Sequence, residues 1–460
     1  MTNRIVHLGL GAFFRAHQAA YTQAANMAAA GEWQIEPVAM RNPVQATRLN
    51  AQNGRYAVIE RHPEGPRAIP ITCLGPAWSL PDAPERVIAR LADPDVHVVT
   101  ITVTEKGYGL SPDTGGLDPR HPAVAHDLIH HTQPTGLIGT LVAGLAARRA
   151  AGGSGLTLIS CDNLPSNGTV LSRLLQEFAT RMDPELAAWI ATACTCPETM
   201  VDRITPAATA ATATLAEELT GVADPMAIET EPFRQWVIQD RFAGPVPDWR
   251  AAGAQVVPDV APYETMKLRM LNGAHSLIAY LGTVGDLPAV RDVMATPPMA
   301  RLVRQHMDAA AATLDPAHGL DTAGYADALI ARFENPAIDH RCVQIAMDGS
   351  QKLPQRLFSG AADRLAQGQS VDTFACATAL WLRHIEGRSD RGDVLALQDP
   401  LAADLQQAVD PDAQRFAQQI GALPGLAGHG LFARADWIAA VSERLTVLRQ
   451  AGVTGLLKTL

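Results

Sequence analysis

Short apolar runs alternate with helix-like stretches through the first half of the chain. RIVHLGLG, QIEPVAM, VHVVTITVT and GLTLISCDN are rich in β-branched residues and read as strands. QAAYTQAANMAAAG, which ends at Gly31, and LIGTLVAGLAARRAAG read as helices. Continuous apolar strands separated by helices predict a parallel sheet covered on both faces. Beyond about residue 260 the period changes and strand candidates almost vanish. YETMKLRMLNGAHSLIAYLG, PPMARLVRQHMDAAAATL, YADALIARFEN, DTFACATALWLRHIEG and ADWIAAVSERLTVLRQAG all carry helical spacing. Pro258 and Pro262 punctuate the change. The expected architecture is an α/β domain over residues 1–258, then a mostly α-helical domain over 259–460. Its active site is expected in the cleft between them.

The first strand runs into HLGLGAFFRAH, which opens a helix. Gly9 and Gly11 supply the first two glycines of a G-x-G-x-x-G turn, and Phe14 stands at the third. In a Rossmann-type domain the first glycine makes the tight turn. The second lets the backbone approach a pyrophosphate at the helix N-terminus. Arg15 is expected to add positive charge beside that phosphate. After the second strand, VAMRNPV offers Arg41 where an acid would hold the ribose hydroxyls. An arginine there suits a 2′-phosphate, so the motif admits NADP as well as NAD.

KLRMLNGAHS places three polar residues in an apolar helical stretch. On an α-helix, Lys267 and His275 lie about 80° apart, and Asn272 lies about 60° from His275. The three share an arc of about 140°. That face suits oxidation of an alcohol. A base takes the hydroxyl proton as hydride leaves carbon, and desolvation fits a lysine for the task. Amides from Asn272 and Asn163 can hold the oxygen as charge develops. Spacing alone equally allows a solvated lysine with two locally satisfied polar neighbours, or a turn at Asn272-Gly273.

Composition narrows the classes. The 460 residues are 47% hydrophobic and 18% charged, as in an ordinary globular protein. A formal charge of -10 argues against nucleic acid or an anionic membrane as partner. No apolar run is long enough for a membrane helix, and no secretion signal is evident at the N-terminus. Cys73, Cys161, Cys194, Cys196, Cys342 and Cys376 are scattered and read as reduced thiols of a cytoplasmic protein. His7, His17 and His121 lack metal-site spacing, so no metal is expected. His126, His130 and His131 in HDLIHHTQ read as a surface helix.

The chain resembles the polyol-specific long-chain dehydrogenase family. IVHLGLGAFFRAHQAAYT, TVTEKGYGL, SCDNLPSNG, MVDRITPAAT, EPFRQWVIQDRF, KLRMLNGAHSLIAYLG, QIAMDGSQKLPQR and the terminal GVTGLLKTL carry the resemblance. One family motif has His where this chain has Phe14. The resemblance implies a Rossmann-type N-terminal domain, a helical C-terminal domain, a nicotinamide cofactor and no metal. It implies Lys267 as general base, Asn163 and Asn272 as oxyanion stabilisers, and His275 as the residue orienting substrate. Glu264 takes the place of a proton-conducting acid, and Asp202 a further polar position of the site. Glu105, Lys106 and Gly107 are implied to touch the cofactor.

Lys352 takes the place of a substrate-binding lysine. Gln344 stands where mannitol dehydrogenases carry arginine, and the wording around it is closer to fructuronate reductases. Lys352 and Arg356 would then serve a sugar-acid carboxylate. The expected reaction is NAD-dependent interconversion of D-fructuronate and D-mannonate, with NADP left open. D-mannitol and D-fructose are the close alternative, and a catalytically silent nicotinamide-binding sensor is the alternative of another class. A monomer or weak oligomer is expected.

Overall fold

The computed structural model describes residues 3–29, 31–426 and 430–460. Ala30, at the end of one expected helix, lies outside them, as do Met1 and Thr2. The chain forms two compact units, Met1–Ala261 and Pro262–Leu460.

Among the described residues, the first unit holds eleven strands: β1 Asn3–Leu8, β2 Trp33–Ala39, β3 Tyr56–His62, β4 Gly65–Ile71, β5 Trp78–Ser79, β6 Val96–Ile101, β7 Thr157–Ser160, β8 Thr199–Asp202, β9 Ile228–Thr230, β10 Gln235–Gln239 and β11 Gln255–Val257. Five of them form a wholly parallel sheet in the order β5-β2-β1-β6-β7. Its four long members are the apolar runs that the pattern predicts. β1 shows why they are mostly apolar. Ile5 joins one core with Phe14, Tyr21 and Ile35, whereas Val6 and Leu8 join another with Val99, Leu141 and Leu174. Both faces are covered, so neither tolerates polar alternation.

Two further sheets, β11-β10-β8 and β4-β3-β9, are absent from the sequence expectation. The antiparallel β3–β4 pair carries Pro66 and Pro70 and is only partly buried along β4. Proline at a sheet edge removes a ladder donor and masks the strand signal.

The second unit is helical, and no strand occurs in it among the described residues. The buried helix Gly273–Val284 packs on Asp372–Ile385, which packs on Ala435–Leu457. Two stretches depart from the expected α period. Lys267–Asn272 and Pro354–Phe358 are π-helical turns, and they pack against each other. Pro354 has no N–H to give the preceding turn, which loosens the ladder there. No helix among the described residues is long and apolar enough to cross a membrane.

Candidate active site

The glycine turn follows β1. Gly9 adopts φ +114°, and a Cβ on it would stand 1.9 Å from the Thr102 carbonyl oxygen. Only glycine fits there. Gly11 is exposed at the start of the helix Ala12–Ala16, and a Cβ on it would meet nothing nearer than the Gly9 carbonyl oxygen at 4.0 Å. This tight, open turn at the carboxyl end of a parallel strand fits a dinucleotide phosphate. The turn is braced from below. His7 Nε2 lies 3.0 Å from the Gly9 carbonyl and 2.9 Å from Thr102 Oγ1, and Nδ1 lies 2.7 Å from Thr100 Oγ1. Burial lowers the His7 pKa to about 3, so the ring is neutral. It donates through Nε2 to the carbonyl and accepts the Thr100 hydroxyl at Nδ1.

Phe14 and Arg15 both turn inward. Phe14 is fully buried against His7. Arg15 corrects the sequence reading: it is 6% exposed, and its guanidinium donates to the Met226 and Gly11 carbonyls. It braces the loop's backbone instead of adding charge at its open side. Arg41 is exposed just beyond β2. The acid of that strand, Glu36, is buried and engaged by Arg4, Arg90 and the Trp78 indole. It is therefore not available at the strand end.

Beyond β6, the exposed Glu105 and Lys106 and the half-buried Gly107 lie in a 3-10 turn, Glu105–Tyr108. Asn163 is exposed just beyond the neighbouring strand β7. Asp202 ends β8 in a different sheet, 9% exposed, beside the electrostatic surroundings of His17 and Tyr21.

In the second unit, Glu264 belongs to the α-helical Ala261–Met266. Lys267 opens the π turn and Asn272 closes it. This corrects the uniform α period assumed from sequence. An i→i+5 turn holds one residue more than an α turn, which brings residues five apart nearer to one face. Lys267 and Asn272 are therefore closer in bearing than α spacing implies. The Asn272 side-chain amide has no hydrogen bond among the described residues, and the backbone carbonyl of Asn272 accepts from the Ser276 hydroxyl at 3.1 Å. Gly273 follows, where a Cβ would stand 3.0 Å from both the Arg356 carbonyl oxygen and His306 Nε2. Glycine thus lets the two π turns meet closely.

His275 is 8% exposed, its ring 4.5 Å from Phe333 and 5.2 Å from His340. Its Nε2 is buried without a hydrogen-bond partner among the described residues. Burial first, then the charges of His340, Arg332 and Arg356, holds its pKa well below the ordinary value. A neutral imidazole with an unsatisfied buried nitrogen is suited to hydrogen-bond a ligand.

Lys352 and Arg356 differ in availability. Lys352 Nζ donates to the Met347 carbonyl at 2.7 Å and lies 3.7 Å from Asp348. Arg356 makes one long hydrogen bond, 3.3 Å to Ser276 Oγ, and has no carboxylate partner among the described residues. Burial lowers its pKa, and neighbouring Tyr280 opposes that shift. Gln344 is exposed on the short helix Cys342–Ile345.

The histidine-rich segment is on the surface but is not one helix. The helix ends at Asp127, and His130 and His131 lie beyond it. All six cysteines are free thiols. Among the described residues, no group of three His, Cys, Asp or Glu could hold a metal ion. Sequence reasoning passed over His7 as a brace and Asp162 as a partner of the turn after β6. Each sits inside a motif already singled out, HLGLG and SCDN, but its partners come from distant segments.

The mannitol dehydrogenase Rossmann domain model matches residues 3–251, and the mannitol dehydrogenase C-terminal domain model matches residues 259–443. D-mannonate oxidoreductase of Escherichia coli is 41% identical, over 98% of this chain and 94% of that relative. Pseudomonas fluorescens mannitol 2-dehydrogenase, solved with NAD and D-mannitol, is 32% identical with a TM-score of 0.80. That match covers 100% of this chain and 94% of the other. A substrate-free D-sorbitol dehydrogenase is 30% identical with a TM-score of 0.93, over 99% of this chain and 95% of the other. Two matched domain models and near full-length relatives place the chain in the mannitol dehydrogenase family, oxidoreductases that act on CH–OH groups.

Proposed function

We propose that the chain interconverts D-fructuronate and D-mannonate with NAD. The observation that carries the sugar-acid reading is Arg356, a largely buried guanidinium with no carboxylate partner among the described residues. A buried cation without a counter-ion is costly, and a substrate carboxylate supplies one in bidentate form. The 41% identical D-mannonate oxidoreductase supports the same choice.

NAD supplies the hydride acceptor in oxidation and, once reduced, the hydride donor in the reverse direction. Gly9 and Gly11 would hold its phosphates, with Glu105, Lys106 and Gly107 as further contacts. Asp202 and Arg41 are assigned supporting places at the cofactor. Lys267 takes the proton from the substrate hydroxyl in oxidation and returns it to the carbonyl oxygen in reduction. Asn163 and Asn272 donate to that oxygen as negative charge grows. Neutral His275 orients the substrate by a hydrogen bond, and Glu264 carries protons to and from Lys267. Lys352 assists Arg356, with Gln344 nearby in sequence. The enzyme works on small sugar molecules in the cytoplasm, as a monomer or weak oligomer.

The test is a panel of initial rates followed by NADH absorbance, with D-mannonate, D-mannitol and D-sorbitol as donors. D-mannonate is expected to give the highest kcat/KM. Turnover of D-mannitol with none of D-mannonate would replace the sugar-acid reading by a polyol one. The same panel with NADP is expected to give slower rates than with NAD. The reverse preference would assign Arg41 to a 2′-phosphate.

A further inference from the structure

The turn after β6 is strained. Thr104 has φ 70° and ψ 158°, a region that essentially only glycine visits. It caps the 3-10 turn Glu105–Tyr108, and the Gly107 N–H donates to its carbonyl at 2.9 Å. A threonine keeps such a backbone only where neighbouring groups over-determine it.

One side chain does so. The Asp162 carboxylate accepts the Val103 N–H at Oδ2 and the Thr104 N–H at Oδ1, both at 3.0 Å. Oδ2 also accepts the Tyr108 hydroxyl at 2.8 Å. That hydroxyl lies 2.6 Å from Ser160 Oγ. Since the phenol proton goes to the carboxylate, Ser160 donates to the phenol oxygen. Both ends of the strained segment, Val103–Thr104 and Tyr108, are thus fastened to one carboxylate.

Asp162 is itself fixed from the other side. Its carbonyl accepts Asn167 Nδ2 at 3.2 Å, and the same amide reaches the Thr199 carbonyl at 3.0 Å. The Thr199 N–H returns a bond to Asn167 Oδ1 at 3.0 Å. Asp162 is therefore held at its side chain and at its carbonyl, and that carbonyl opens the peptide bond to Asn163. β6 and β7 are parallel neighbours, and the clamp lies across their carboxyl ends, where α/β sheets bind ligands.

We propose that Asp162 is a positioning residue for the redox reaction: its carboxylate clamps the strained end of β6 to the end of β7 and so fixes the aim of the Asn163 amide. The inference rests on Asn163 as an oxyanion donor. An amide cannot replace the carboxylate, because two backbone N–H groups and a phenol need acceptors and only one oxygen of an asparagine accepts.

The test is a double-mutant cycle on kcat in the full chain. Asn163→Ala and Asp162→Asn are each expected to lower kcat by about 100-fold, the scale of one misplaced oxyanion donor. Combined, they are expected to cost no more than Asn163→Ala alone, because Asp162 acts through Asn163. Thr104→Gly in the Asp162→Asn background is expected to recover about tenfold, since glycine holds φ 70° without the clamp. A merely structural role moves melting temperature but leaves the two losses additive, and additivity overturns the proposal. Full kcat in Asp162→Asn overturns it too. Should that variant not fold, Tyr108→Phe removes one bond of the clamp, and its smaller loss must likewise vanish in the Asn163→Ala background. Full activity of Asn163→Ala would be a different failure. It removes Asn163 from the reaction and takes the functional reading of that residue, and this inference, with it.

Discussion

The imidazole of His7 lies flat on the ring of Phe14, their centroids 3.6 Å apart and their planes inclined by 11°. The stack sets the height of the histidine, whose Nε2 then meets the Gly9 carbonyl. His7→Ala is expected to raise KM for NAD about tenfold through a loosened turn, with KM for the sugar little changed. His7→Gln, which keeps an amide donor, should recover part of that loss. Equal damage to both KM values would rule out a role confined to the cofactor turn.

Lys267→Ala is expected to lower kcat by about a thousandfold or more, as loss of a proton-transfer group does. NADH binding, followed by fluorescence, should stay within about twofold of the parent. Turnover near the parental rate would remove Lys267 from the role of base.

Arg356→Leu keeps much of the side chain's bulk and removes its charge. KM for D-mannonate is expected to rise about ten- to hundredfold, the scale of one charge-assisted pair. Activity on an uncharged polyol, where measurable, should fall far less. Proportional losses on both would mean that the arginine packs the π turn and does not read a carboxylate.

Buried histidines set the acid stability. Burial lowers His7 and His17 to about 3, and His306 and His384 to about 4. Each native pKa lies below the unfolded value, so the unfolded chain binds protons first as pH falls. Stability from these rings is fully present above about pH 6.5 and is lost between there and the native values. Each ring contributes up to about 1.4 kcal/mol per pH unit in that window. Urea midpoints should therefore drop steadily from pH 6.5 to pH 4.5. A flat midpoint across that range would show that the rings are not kept neutral in the native state.

The parallel sheet was legible because β1, β2, β6 and β7 are buried on both faces and therefore mostly apolar. β3 and β4 were not, since their signal is diluted by prolines and by charged residues on a half-exposed pair. Lys267, Asn272 and His275 stood out as polar misfits in a buried stretch. Their true spacing did not, because nothing in KLRMLN announces a π turn. Arg15 was misread for a related reason: arginine is usually solvated, and only the tertiary fold brings the Met226 carbonyl to it. The clamp at Asp162 escaped notice because its partners lie 54 to 59 residues away.

A π turn holds one residue more than the α turn it replaces, so it works on the chain as a phase shift. Residues before Lys267 and after Asn272 are turned relative to one another by about 100°, compared with a regular helix. Deleting any one residue of Leu268–Leu271 would barely alter composition and would restore an ordinary ladder. It would also swing Glu264 and Lys267 off the bearing they hold towards Asn272 and His275. The number of residues in this stretch is as much a part of the candidate site as the side chains it carries.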